Sequence, residues 1–105
     1  MEDTNTQIKE TVESHPIVLY IKGTREEPQC GFSNAVIQIF QKLNVPFETV
    51  DVLSDPAIRE GVKEFTKWPT VPQVFIKGEF IGGCDIVKDL YTKGELEPMV
   101  KKALG

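Results

Sequence analysis

The sequence predicts an α/β fold, a four-stranded mixed β-sheet flanked by helices on both faces. Three observations carry this. A length of 105 residues suits a single domain with a core of its own. Apolar segments alternate between short β-branched runs and stretches at helical spacing, in the order α-β-α-β-α-β-β-α-α. A strand-helix-strand opening followed by a hairpin combines parallel with antiparallel pairing and sets helices against both faces of the sheet.

The first helix, over residues 1–15, carries Ile8 and Val12. Pro16 stops it, because the residue before a proline is pushed out of the helical region. Ile17-Val18-Leu19-Tyr20-Ile21 is a continuous apolar run of the kind that forms a strand covered on both faces. After a polar loop from Lys22 to Gln29, the segment Gly31 to Leu43 spaces Val36, Ile37, Phe40 and Leu43 along one helix face. Phe47 to Val52 reads as the second strand. Asp55-Pro56 then supplies an N-cap and a proline at the first helical position, and Ile58, Val62 and Phe65 form the buried stripe of that helix. Gln73 to Ile76 and Phe80-Ile81, joined through Lys77-Gly78-Glu79, read as a β-hairpin with a glycine turn. Two helices close the chain. One carries Ile86, Val87, Leu90 and Tyr91 and stops at Gly94; the other carries Leu96, Met99, Val100, Ala103 and Leu104.

Composition narrows the function. A formal net charge of −4 argues against general attraction to nucleic acid or to an anionic membrane surface. No apolar run approaches the ~20 residues of a membrane span. Residues 1–14 hold four acids, one lysine and no arginine, the pattern of neither a secretory signal nor a transit peptide. Two cysteines cannot close a zinc site on their own or build a disulfide framework. The expected setting is a reducing one: the cytoplasm, or the mitochondrial matrix or plastid stroma where a transit peptide has been removed.

Cys30 is the first candidate for chemistry, since it lies where the loop after the first strand becomes the next helix. Unpaired backbone N–H groups and the positive helix end favour thiolate there, and Lys22 adds a cation. The plain alternative is a small buried hydrophobe. Ser33 stands where a Cys-X-X-Cys pair would have its second sulfur. A hydroxyl closes no disulfide, so dithiol exchange is excluded and a mixed disulfide on Cys30 needs an outside thiol. His15, beside Pro16, reads as a surface loop residue.

Cys30-Gly31-Phe32-Ser33, Trp68-Pro69-Thr70-Val71-Pro72 and Gly82-Gly83-Cys84-Asp85, in that order with Lys22 upstream, resemble the three signatures of the monothiol glutaredoxins of the CGFS type. The resemblance runs from about Ile17 to Leu104. It implies a thioredoxin-like fold, a cis Pro72 beside the cysteine, glutathione as bound cofactor, and a [2Fe-2S] cluster bridging two subunits with Cys30 as the protein's ligand. It further implies a homodimer when the cluster is bound, a monomer when apo, a BolA-like protein partner, and apo iron-sulfur proteins as acceptors. The loop from Gly23 to Gln29 is similar to the family's insertion before the cysteine and is expected to displace bound glutathione slightly.

Glutathione has two carboxylates, an ammonium and extended backbone, so its site needs cations, an acid and an unpaired strand edge. The family pattern assigns Lys22 and Arg59 to the glycyl carboxylate. Thr70 and Val71, extended ahead of Pro72, can offer Val71 N–H and C=O as an added strand would. Gly83, Cys84 and Asp85 begin a helix whose N–H groups suit the γ-glutamyl carboxylate, with the Asp85 side chain for the ammonium. Trp68 belongs to the same segment. Each has a plain alternative: a strand-end lysine for Lys22, an N-cap for Asp85, core filling for Trp68. Lys63, four residues after Arg59, divides between a site cation and a solvated mixed face. Cys84 divides between a redox thiol and a small residue whose N–H binds ligand.

Ligand counting bears on the cluster. A [2Fe-2S] centre held by thiolates takes four of them. Two copies of Cys30 and two glutathione thiols make four, so the stoichiometry predicts a cluster-bridged dimer. Gly31 would allow close approach by the second subunit and Phe32 would shield the cluster from water. Two functions follow: a glutathione-dependent [2Fe-2S] scaffold and carrier in iron-sulfur assembly and redox homeostasis, or an oxidoreductase that reduces glutathionylated protein thiols through Cys30 alone.

Overall fold

The computed structural model describes residues 3–105; Met1 and Glu2, the start of the expected first helix, lie outside the described residues. Nine elements follow in the expected order: α1 (Thr4–Ser14), β1 (Ile17–Ile21), α2 (Gly31–Lys42), β2 (Glu48–Asp51), α3 (Pro56–Thr66), β3 (Gln73–Ile76), β4 (Glu79–Gly82), α4 (Cys84–Thr92) and α5 (Leu96–Leu104). The sheet is ordered β2-β1-β3-β4. β1 runs parallel to β2 and antiparallel to β3, and β4 is antiparallel to β3.

The apolar run of β1 supplies two cores at once. Successive strand side chains point to opposite faces, so Ile17, Leu19 and Ile21 enter one cluster and Val18 and Tyr20 the other. The first cluster is closed by Val36, Ile37 and Phe40 of α2, Val87 of α4, and Leu96 and Val100 of α5. The second is closed by Ile8 and Val12 of α1 and Val62 of α3, with Val71 and Phe75. All five residues of β1 are buried.

Helix starts follow their caps. Asp3 accepts from the Thr6 N–H at 2.7 Å, and Asp55 accepts from the N–H groups of Ala57 and Ile58. The hairpin turn is tighter than the sequence suggests: Lys77 and Gly78, with φ of 52° and 81°, make the whole turn. Two positive φ values match the twist of the flanking strands, so Glu79 already belongs to β4. β2 is shorter than expected at both ends. Its C-terminal end is set by Asp51, whose carboxylate accepts from Gly23 N–H at 2.9 Å and Leu53 N–H at 2.8 Å and so turns the chain. Ile86 and Leu104 depart from the buried stripes of their helices, at 38% and 37% exposure.

Candidate functional site

The C-terminal end of β1, the start of α2, the turn of α3, the segment before β3 and the start of α4 meet around one cavity of about 450 Å³. Cys30, Lys22, Arg59 and Trp68 line it, together with Thr70, Val71, Pro72, Gly83, Cys84 and Asp85. All ten residues singled out from the sequence are thus brought together, although they are spread over more than half of the chain. Lys63, Phe32, Pro69 and Ile86 also contribute to the lining. Ile86 is the one the sequence reading did not single out. Its signal was an apolar stripe on α4 wider than one core face needs.

Cys30 is the N-cap of α2 and is half-buried. Burial pushes its thiol pKa up. The Ser33 and Phe32 backbone N–H groups, the Ser33 hydroxyl and the Lys22 charge push it down, and together they win, so the thiol lies below its ordinary value. The sulfur closes no capping hydrogen bond; the lowering comes from donors aimed at it. Ser33 is fully buried, and its Oγ accepts from the Lys22 N–H at 3.1 Å. That bond ties the end of β1 to the first turn of α2 and leaves the hydroxyl proton free to face the sulfur. Cys84, first residue of α4, is buried. Desolvation raises its thiol pKa, Lys88 opposes this, and the negative charges of Asp85 and Cys30 add to the rise. Gly31 has open space where a Cβ would stand, so nothing in the chain itself demands glycine there.

Two cations stand ready. Lys22 and Arg59 line the cavity without an ion-pair partner among the described residues, whereas Lys63 is engaged by Glu60 at 3.2 Å. This separates Arg59 from Lys63, which the sequence left close. At the opposite wall, α4 begins at Gly83 with no side-chain cap, leaving its first N–H groups for a ligand. Asp85 sits in that first turn.

The wall between them is the Trp68–Pro72 segment. The Val71–Pro72 peptide bond is cis, as the resemblance implies. Val71 enters no backbone hydrogen bond among the described residues. Trp68 packs against Phe80, ring centroids 5.9 Å apart, and its indole N–H is buried with no hydrogen-bond partner among the described residues. A Cβ on Gly83 would stand 3.2 Å from that indole nitrogen and 3.3 Å from the Pro72 carbonyl oxygen. Glycine at 83 therefore lets α4 approach the wall.

Behind this wall lies a polar network that sequence reasoning missed. Gln73, fully buried, donates from Nε2 to the carbonyls of Trp68 and Thr70, each at 3.1 Å. Its Oε1 accepts from the Thr66 hydroxyl at 2.9 Å, and that hydroxyl oxygen accepts from the Trp68 N–H at 3.1 Å. No sequence period distinguishes such a glutamine from an ordinary strand residue.

The loop before Cys30 is held away from the cavity. The Gln29 N–H donates to the Lys22 carbonyl at 2.8 Å and Thr24 N–H to Glu27 O at 3.2 Å. Arg25 donates to the Phe47 carbonyl and lies 4.1 Å over the Phe47 ring. Among the described residues no helix is long and apolar enough to cross a membrane.

Comparison with known proteins places this geometry. The sequence profile of the family described as Glutaredoxin matches residues 17–81. A chloroplastic monothiol glutaredoxin-S7 of rice (Oryza sativa subsp. japonica) is 54% identical over 97 residues, 92% of this chain, and the chain spans 58% of that protein's length. A Synechocystis protein named as an uncharacterized monothiol glutaredoxin is 50% identical over 102 residues, covering 97% of this chain and 95% of its own. A crystal structure of a buckwheat glutaredoxin-glutathione complex superposes with a TM-score of 0.86 at 30% identity, over 95% of this chain and 89% of that one. The fold is thioredoxin-like, and the chain belongs to the glutaredoxin family, among its monothiol members.

Proposed function

We propose that this chain binds a [2Fe-2S] cluster together with glutathione and hands it on, as a scaffold and carrier in iron-sulfur assembly. The observation that carries the reading is a thiol biased toward thiolate at the mouth of a cavity that also holds two unpaired cations and an open helix start. Lys22 and Arg59 suit the glycyl carboxylate of glutathione. The unpaired backbone of Val71 suits its cysteinyl part, and Gly83, Cys84 and Asp85 suit the γ-glutamyl end. The buckwheat complex supports glutathione as the ligand.

The donor set fits a shared cargo rather than a closed metal site. Among the described residues no three His, Cys, Asp or Glu side chains stand together as a metal site. With Cys30 as each chain's ligand and Cys84 buried on the opposite wall, two chains and two glutathiones supply the four thiolates. Thiols that are not part of the protein exchange more readily than a closed cage, which suits transfer to an apo acceptor or sharing with a BolA-like protein. The apo chain is then a monomer and the loaded form a dimer, with no role for nucleic acid or membrane. Among the proposed compartments of cytoplasm, mitochondrial matrix and plastid stroma, the chloroplastic name of the rice relative supports the plastid.

Reconstitution with iron, sulfide and glutathione tests this. We expect a visible-absorbing dimer that reverts to a monomer when glutathione is removed. A Cys30→Ser variant that retained a stoichiometric cluster would overturn the reading.

The lowered Cys30 pKa favours a second reading, a monothiol oxidoreductase. The Cys30 thiolate attacks the glutathionyl sulfur of a protein mixed disulfide, forming a Cys30–glutathione disulfide and releasing the protein thiolate. A second glutathione thiolate then attacks that disulfide, leaving glutathione disulfide and free Cys30. Steady-state deglutathionylation at the rate of a dithiol glutaredoxin would put this reading first.

A further inference from the structure

We propose that the Thr66–Gln73 side-chain network is the positioning device of the glutathione site, presetting the Trp68–Val71 backbone in the shape that a bound ligand needs. The proposal rests on the glutathione reading above. Neither side chain lines the cavity, so both act through the wall.

Hydrogen-bond capacity decides the shape of the wall. The Trp68–Pro72 segment lies between α3 and β3 and belongs to neither, so its backbone groups have no ladder to join. Buried backbone groups left unpaired are costly, and a segment without partners settles into several conformations. Gln73 removes that freedom. Its two amide hydrogens take the carbonyls of Trp68 and Thr70, two residues apart, and so clamp the chain on both sides of Pro69. Two carbonyl acceptors also leave only one orientation for the amide, with Oε1 toward Thr66. The Thr66 hydroxyl completes the set, donating toward Gln73 Oε1 and accepting from the Trp68 N–H. Its shared proton also faces the Val62 carbonyl at 3.1 Å, which fixes the hydroxyl to the last turn of α3.

Three backbone groups around Trp68 and Thr70 are thereby consumed, and the next residue, Val71, is left with its N–H and C=O unspent. The network thus decides which part of the wall is spent on the fold and which is offered to an extended peptide. A preformed edge gains affinity by avoiding the ordering cost at binding. Arg59, four residues before Lys63 on α3, shares that helix with Thr66, so the same network registers the cation against the strand edge.

The test is a titration of the reduced, metal-free chain with reduced glutathione, following the Val71 amide by NMR. Thr66→Val keeps the shape and removes the hydroxyl; it should raise Kd roughly tenfold. Thr66→Ser keeps the hydroxyl and should stay within about twofold of the parent. Gln73→Leu, which retains an apolar fit in the buried position, provides a second variant and should weaken binding at least as much as Thr66→Val. The Cys30 thiol pKa should stay unchanged in all three, because the donors that set it lie on α2 and β1. Unchanged affinity in folded Thr66→Val and Gln73→Leu would overturn the proposal, as would equal loss in Thr66→Ser and Thr66→Val. Arg59→Ala separates the two levels: if it too leaves Kd unchanged, the glutathione reading itself fails. If it weakens binding while the network variants do not, only the positioning role fails.

Discussion

Cys30 and Cys84 share one cavity and feel opposite fields. Cys30 caps α2 and faces the N–H groups of Phe32 and Ser33 with Lys22 behind it, while Cys84 begins α4 buried beside Asp85. A lowered pKa keeps a thiol ionised further into acid, and a raised one delays ionisation as pH climbs. Alkylation by iodoacetamide, followed residue by residue by mass spectrometry, should therefore rise for Cys30 at lower pH than for an ordinary thiol, and for Cys84 at higher pH. Lys22→Gln removes a cation that favours thiolate and should move the Cys30 midpoint upward. Equal midpoints for the two cysteines would contradict this account. The sequence placed Cys30 at a helix start and so predicted the direction of its shift. It left Cys84 undivided between a redox and a structural role, because burial there comes from the packing of α4 on the wall and has no local sign.

At the scale of elements, the approach of α4 to the Trp68–Pro72 wall decides the width of the cavity. Gly83 stands at the contact, with 3.2 Å from a hypothetical Cβ to the Trp68 indole nitrogen and 3.3 Å to the Pro72 carbonyl oxygen. The indole is itself backed by Phe80, which packs on Phe75 with centroids 5.6 Å apart, so it has little room to retreat. Gly83→Ala should cost about 1–2 kcal/mol through overpacking, measured by urea unfolding. It should also weaken glutathione binding by pushing α4 away from Val71. A variant with parental stability and affinity would show that the wall yields. The loop from Gly23 to Gln29 is held at its far side, where Arg25 bonds the Phe47 carbonyl and covers the Phe47 ring. That anchor was invisible in the sequence, since residues 25 and 47 are joined only by the parallel pairing of β1 with β2.

Over the whole molecule, stability and site depend on the same strand. β1 contributes alternately to both cores and delivers Lys22 and the loop to Cys30 from its C-terminal end. Leu19 sits at its middle, fully buried and paired with Thr49 on one side and Val74 on the other. Leu19→Ala should cost ~3 kcal/mol by leaving a cavity that the two flanking strands cannot collapse. Denaturant unfolding measures this, and a loss below ~1 kcal/mol would mean the core repacks around the gap. The substitution should leave the Cys30 pKa unchanged, since the donors that set it belong to α2 and the end of β1.

What the sequence determined by itself was whatever short-range physics encodes. Apolar period identified all nine elements in order, Asp55 and Pro56 marked a helix start, and three short motifs together with Lys22 and Arg59 named ten of the residues that line the cavity. Some boundaries shifted by a residue or two, as at the end of β2, where Asp51 reaches the distant Gly23 N–H, and at the hairpin, where the positive φ pair of Lys77-Gly78 closes the turn early. Tertiary structure alone decided that Lys22, from the end of β1, and Arg59, from α3, line one cavity, where among the described residues neither has an ion-pair partner. It also decided that Gln73 and Thr66 stand behind the site, and that Ile86 faces its rim instead of the core. The physical reason is range. Periodicity and capping act within a few residues, whereas which residues meet around one cavity and which stand behind its wall depends on the surfaces the sheet order β2-β1-β3-β4 brings into contact.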